Sequence, residues 1–133
     1  MRRPTTCTTR TRTLLSTTVL AAVAWSSAAS AEEQVSYKLD VQPILQSRCF
    51  ECHGPGGQGY EASGLDLTTY KGLMKGTKHG AIVVPGDPFT SNLIVLVEGR
   101  ASPTVRMPHN QRPLLKQQIE ILRLWVKQGA KDN

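Results

Sequence analysis

Along most of this chain, apolar residues fall at the spacing of one helical face, and turn-forming residues break the pattern into short elements. Val41, Ile44 and Leu45 follow Asp40, which can cap a helix, and Pro43 falls in the first turn, where its missing N–H has no partner to lose. This predicts a first helix from Asp40 through Cys49 and Cys52. Gly54, Gly56, Gly57 and Gly59 predict an irregular segment whose backbone can approach another group closely. Leu65 and Leu67 alternate across Asp66 and should share one face of a short extended piece. Thr69 to Lys75 reads as a short helix closed by Gly76. Asp87 and Pro88 suit the N-cap and first position of a further helix, with Leu93, Ile94 and Val97 as its buried stripe and Gly99 as its stop. Pro103, Pro108 and Pro113 exclude continuous helix between them. The last helix should run from about Leu115 to Gln128, with Ile119, Leu122, Trp125 and Val126 inward and Gly129 past its end. Leu114 and Leu115 offer no capping oxygen, so its start is defined only to within a turn. The sum is an all-α domain of few helices joined by long loops.

The N-terminus has a different character. Arg2, Arg3, Arg10 and Arg12 precede an apolar run from Leu14 to Ala24, and a small-residue stretch ends at Ala29-Ser30-Ala31. That order of basic, apolar and small residues predicts a secretory signal over residues 1–31, cleaved after Ala31, with a domain over residues 32–133. The apolar run is well short of the ~20 residues that span a bilayer, so no strong membrane association is expected after cleavage. Cys7 should leave with the signal.

The same division changes the reading of charge. The whole chain of 133 residues has 16 Lys and Arg against 10 Asp and Glu, a net of +6. Four of those arginines lie before residue 32 and all the acidic residues from Glu32 onward, so residues 32–133 carry only +2. A basic nucleic-acid binder is not supported.

Once Cys7 is set aside, two cysteines remain in a compartment that oxidises thiols, and they stand three apart. Cys49-Phe50-Glu51-Cys52-His53 is a C-x-x-C-H sequence, the pattern of covalent haem attachment. On a helical turn the first, fourth and fifth of these residues share a face, so two thiols and an imidazole can meet one porphyrin. Three other readings compete. A Cys49–Cys52 disulfide would close a tiny loop of little entropic value, and a thioredoxin-like redox pair would want a βαβ context. A zinc site would need a fourth ligand, for which His79 and His109 are available but unpatterned. With one such motif, the expected cofactor is a single haem c on Cys49 and Cys52, with His53 as an axial ligand. Only six aromatic residues remain after the signal, so the haem should fill the centre of a small core, and Trp125 should pack against it and the first helix.

A second axial ligand or an open position decides between carrier and ligand-binding chemistry. Met107, in the proline-braced loop before the last helix, is the expected distal ligand. Met74 on its short helix reads as packing, and His109 is a competitor two residues from Met107. Otherwise His79 and His109 should be surface residues.

The blocks Asp40-Val41-Gln42-Pro43-Ile44-Leu45, Cys49 to Gly54, Gly64-Leu65-Asp66-Leu67, Pro85-Gly86-Asp87-Pro88, Arg106-Met107-Pro108 and Leu124-Trp125-Val126 resemble, in this order, the planctomycete-type cytochrome c domain, a relative of class I cytochromes c. The resemblance spans roughly residues 37–131. It implies a cytochrome c-like fold around one haem, with Cys49, Cys52 and His53 as haem ligands and Met107 as distal ligand. Members often carry a second proline after Met-Pro, where this chain has His109.

The function expected from these readings is a periplasmic electron carrier rather than an enzyme, since no acid/base pair accompanies the motif. Its partners would be redox proteins, met through short-lived contacts, with no nucleic acid involved. A haem-based sensor with a labile distal position, or the haem subunit of a larger oxidoreductase complex, are the alternatives.

Overall fold

A computed structural model describes residues 33–133. The signal sequence, its cleavage after Ala31 and Cys7 lie outside the described residues.

The described chain is helical and contains no strand; a single bridge pairs Thr77 with Gly80. The helices are α1 (Gln42–Arg48), α2 (Phe50–His53), α3 (Gln58–Ser63), α4 (Tyr70–Lys75), α5 (Asn92–Glu98) and α6 (Lys116–Lys127). This is the all-α class that the residue pattern predicts, and it is consistent with the cytochrome c-like fold that the resemblance implies.

Several boundaries depart from expectation, each for a local reason. A π-helical turn, Tyr37–Val41, precedes α1. Asp40 lies inside that turn instead of capping the helix: the Ser36 hydroxyl accepts from Leu39 N at 3.2 Å, and the Asp40 carboxylate accepts from Ser36 N at 2.8 Å. Two side chains thereby satisfy reciprocal donors at the start of the turn. The first helix also does not run through the cysteines. Cys49 leaves helical geometry at φ −131°, ψ −32°, and the chain restarts as the single turn α2.

Asp87 and Pro88 do not open α5. The Asp87 carboxylate accepts from Phe89 N at 2.9 Å and Thr90 N at 3.1 Å, which closes a turn of its own. Ser91 then becomes the N-cap, and Asn92 the first helical residue. Ser91 is fully buried, and its hydroxyl accepts from Val84 N at 2.8 Å and donates to the Asp87 carbonyl at 2.7 Å. Within α5 the stripe is as predicted: Leu93, Ile94 and Val97 are buried, and Gly99 ends the helix at φ +71°. Helix α6 starts at Lys116; lacking a capping oxygen at Leu115, it uses Gln118 Oε1, which accepts from Leu115 N at 3.0 Å.

The core joins Ile44 and Leu45 of α1, Leu73 of α4, Ile94 and Val97 of α5, and Leu122, Trp125 and Val126 of α6, with Leu67 and Val83 from the connections. Trp125 sits in an aromatic cluster, its ring 5.7 Å from Tyr37 and 6.5 Å from Tyr70, and its Nε1 donates to the Lys131 carbonyl at 2.9 Å. Beyond α6 the chain turns back onto residues preceding α1. The Asn133 carbonyl accepts from Lys38 N at 3.1 Å and Ser36 Oγ at 2.9 Å, its side-chain oxygen accepts from Tyr37 N at 2.8 Å, and Gln128 Oε1 accepts from Val35 N at 2.8 Å.

Helices α5 and α6 are also joined by charge. Glu98 accepts from both Arg100 and Arg123. Burial works to raise the Glu98 carboxyl, but hydrogen bonds and charge from the two arginines prevail and hold it below its ordinary 4.5. A carboxylate with a lowered folded-state pKa adds stability in full above its unfolded value, and that stability is lost as pH falls through the folded value. Glu98→Gln should therefore cost about 1 kcal/mol at neutral pH, a figure kept small because both arginines are a third or more exposed. Denaturant titrations of both proteins should converge as pH falls well below the carboxyl's ordinary 4.5; a gap independent of pH would show that the charge is not what joins these helices.

Candidate functional site

The motif turn is built by a short set of backbone bonds. Cys52 N and His53 N both donate to the Cys49 carbonyl, at 3.2 and 2.8 Å. The His53 carbonyl in turn accepts from Leu67 N at 2.8 Å, which ties the extended Leu65–Leu67 piece beside α2. The glycine segment then folds back as α3, a helix that the residue pattern does not predict, with Gly59 inside it. Close approach is nevertheless the reason for Gly57 and Gly59. A Cβ on Gly57 would stand 2.6 Å from the Glu51 carbonyl oxygen, and one on Gly59 would stand 2.7 Å from Cε1 and 2.9 Å from Nδ1 of His53. The imidazole thus lies flush against bare backbone. Gly59→Ala should turn the ring out of place and destabilise the fold by about 1–3 kcal/mol, the usual range for overpacking. An unchanged denaturation midpoint, with the His53 ring resonances of the folded protein unmoved, would show that the ring has slack.

A cavity of about 550 Å³ opens beside this turn. Cys49, Cys52 and His53 line it from α2 and its start, and Met107 lines it from the loop between α5 and α6. All four residues singled out by sequence therefore meet in one space. The Met107 loop contains a 3₁₀ turn, Pro103–Val105, and is fixed to α5 by Met107 N, which donates to the Leu96 carbonyl at 3.1 Å. Leu65, Leu67, Ile82, Leu93, Leu96 and Val97 give the cavity its apolar wall. Leu96 and Ile82 were not foreseen as part of the site; Leu96 lies three residues after Leu93 on the same face of α5, which is the signal that places it there.

The remaining candidates separate cleanly. His109 is exposed but lines the cavity, so it remains within reach of the site. His79 is exposed and does not line it. Met74 packs against the core from α4, away from the lining. Trp125 is likewise no part of the wall: its neighbours are Tyr37 and Tyr70, because α6 presents it to the turn before α1 and to α4. Arg48, beside Cys49, also lines the cavity and was not singled out by the sequence.

Both thiols are free. Burial pushes the Cys49 thiol up to about 11, against the pull of the neighbouring Arg48 charge. Burial lowers the pKa of His53 below its ordinary 6.5, and the Leu65 carbonyl offsets part of this. The imidazole is accordingly neutral near pH 7, the form that binds metal. Its Nδ1 is buried and has no hydrogen-bond partner. Among the described residues no three His, Cys, Asp or Glu side chains gather as a metal site. An apolar cavity within the roughly 300–1,000 Å³ of small-molecule and cofactor sites, with two free thiols and a neutral imidazole along its wall, suits a large planar apolar cofactor bearing a metal.

Residues 49–110 match the family described as Planctomycete cytochrome C. The match supports a planctomycete-type cytochrome c domain in this chain. The match is narrower than the resemblance over residues 37–131: it begins at the first cysteine and ends in the Met107 loop, leaving out α1 and α6. No curated protein and no solved structure matches the chain. A cytochrome c domain implies haem c, and the cavity of this one has the donors that haem c requires. Such domains typically work outside the cytoplasm, and no helix among the described residues is long and apolar enough to cross a membrane.

Proposed function

We propose that this protein is an exported, periplasmic monohaem cytochrome c that passes single electrons between redox proteins, acting as a carrier and not as an enzyme. The observation that carries this reading is the convergence of Cys49, Cys52, His53 and Met107 on one apolar cavity. Cys49 and Cys52 would hold the haem covalently through their sulfurs, His53 would supply an imidazole nitrogen and Met107 a thioether. Bound there, the haem supplies one-electron exchange between ferric and ferrous iron. The chain's own contribution is positional and dielectric. Gly59 lets the imidazole seat against backbone, the Met107 loop is fastened to α5, and the leucine-rich wall keeps water from the centre, which favours the less charged ferrous state.

Partner contact would be brief and centred on the open side of the cavity. The near-neutral charge of residues 32–133 argues against strong long-range steering. Mass spectrometry of the purified protein tests the cofactor: a chain beginning at Glu32 with one covalent haem is expected, and a Cys49–Cys52 disulfide or bound zinc would overturn the reading. Carbon monoxide tests the carrier role. A thioether held on iron should leave the reduced protein slow to bind it, whereas rapid stoichiometric binding would favour a sensor with a labile distal position.

A further inference from the structure

The small net charge of residues 32–133 hides a separation. Residues 99–119, which carry Met107 and lead into α6, contain Arg100, Arg106, Arg112 and Lys116 and no acidic residue. All ten Asp and Glu lie elsewhere, against the eight remaining Lys and Arg, so this segment carries +4 and the rest of residues 32–133 carries −2. The carboxylates that bracket the segment do not cancel its charge. Glu98 is engaged by Arg100 and Arg123, and Glu120 lies 3.7 Å from Arg123. Arg106, Arg112 and Lys116 are exposed, and none of them is in an ion pair among the described residues.

The same segment borders the cavity. Met107 to Gln111 line it in an unbroken run, of which His109, Asn110 and Gln111 are exposed, and Arg106 and Arg112 stand immediately before and after that run. Val105, beside Arg106, is 45% exposed. Glu51 is the one carboxylate among the lining residues, and Arg48 lines the cavity with it. Charge is screened over about 8 Å at physiological ionic strength, so a partner seated here responds to the side chains it meets and not to the net charge of the molecule. Those side chains include two guanidinium groups, whose forked donors match carboxylates. A lipid surface would instead favour a helix with one apolar face, and Pro103, Pro108 and Pro113 keep this segment irregular.

We propose that residues 105–116 are the docking surface for an acidic protein, with Arg106, Arg112 and Lys116 recognising its carboxylates. This rests on the electron-carrier reading for the partner's redox role. Contact would be short in reach and loosened by salt, and it would seat the partner over the loop that holds Met107.

The test titrates the purified holoprotein with a short poly-glutamate peptide and follows its backbone amide resonances. The peptide should shift the resonances of residues 105–116 and leave those of residues 33–38 and 128–133 in place. Arg106→Gln, Arg112→Gln and Lys116→Gln combined should weaken its binding about tenfold. Lys38→Gln, Lys71→Gln and Lys131→Gln combined remove equal charge from exposed positions that do not line the cavity, and should weaken it by less than about twofold. Equal losses in the two triple variants would show that net charge alone attracts the peptide, and would overturn the assignment. Tighter binding to phosphatidylglycerol vesicles than to the peptide would overturn it as well. Covalent haem is read separately by mass: a parent chain without it would overturn the carrier reading and the partner's redox role, while the titration would still decide whether residues 105–116 bind carboxylates.

Discussion

Met107→Ala is expected to abolish the far-red sulfur-to-iron charge-transfer band of the oxidised protein and to lower its reduction potential by about 0.1 V or more, within the ~0.8 V that axial ligation spans in haem proteins. The proposed distal role rests on three facts of placement. Met107 lines the cavity, its backbone is tied to Leu96 of α5, and the prolines around it restrict the loop. A thioether favours Fe(II), so its removal should favour Fe(III). His109→Ala is the companion variant. His109 also lines the cavity but is exposed, and its removal should leave the far-red band intact. A bis-histidine spectrum in the parent protein would transfer the role to His109. A band that persists without Met107 would require Met74 to leave its place against the core, and would refute the arrangement described above.

Trp125→Ala should remove about 3–5 kcal/mol of stability, as large aromatic truncations in cores do. Set against the 5–15 kcal/mol that holds a typical domain folded, this could leave much of the population unfolded. Trp125 is 1% exposed and anchors α6 to the Tyr37–Val41 turn and to α4 through two tyrosine rings. Trp125→Phe separates packing from hydrogen bonding: it keeps a ring but loses the Nε1 bond to Lys131, and should cost roughly 1 kcal/mol more than the lost area alone. Because Trp125 is not part of the cavity wall, the Phe variant should retain the haem spectrum of the parent. Far-UV circular dichroism against denaturant measures both variants. A loss below 1 kcal/mol for Trp125→Ala would mean that the aromatic cluster is not what fastens α6.

The site was more legible than the fold around it, and the reason is chemical. Cys49, Cys52 and His53 occupy a spacing that one helical turn converts into a shared face, so their convergence needs no knowledge of distant contacts. Met107 required an inference about a loop, and the structure places it in the same cavity. Arg48 was silent, because a lone arginine at a helix end is ordinarily solvated, and only the structure places it on the cavity wall. Among the elements, α4 was readable because Thr69 caps it and Gly76 closes it. Helix α3 was not, because Gln58-Gly59-Tyr60-Glu61-Ala62-Ser63 shows no apolar stripe and begins in a glycine-rich stretch. The start of α5 was misplaced since Asp87 can cap a helix or close a turn with the same oxygen atoms. Which it does depends on Ser91, whose buried hydroxyl bonds Val84 seven residues away. For Trp125, periodicity gave the inward face but could not say which neighbour occupies it.

The hydrogen bonds that fold residues 128–133 back onto residues 33–38 have a mechanical consequence. Asn133 and Gln128 reach Glu33, Val35, Ser36, Tyr37 and Lys38, so the two ends of the described domain are laced directly to each other. Tension applied between them would load that lacing in the first instance. The motif turn and the Met107 loop lie in the interior of the chain and would feel no pull until the lacing had parted. A neighbour that drags on either end, a tether or an attached domain, would therefore tug on a buckle remote in sequence from the cavity, and the spacing of the cavity's walls would be the last thing to change.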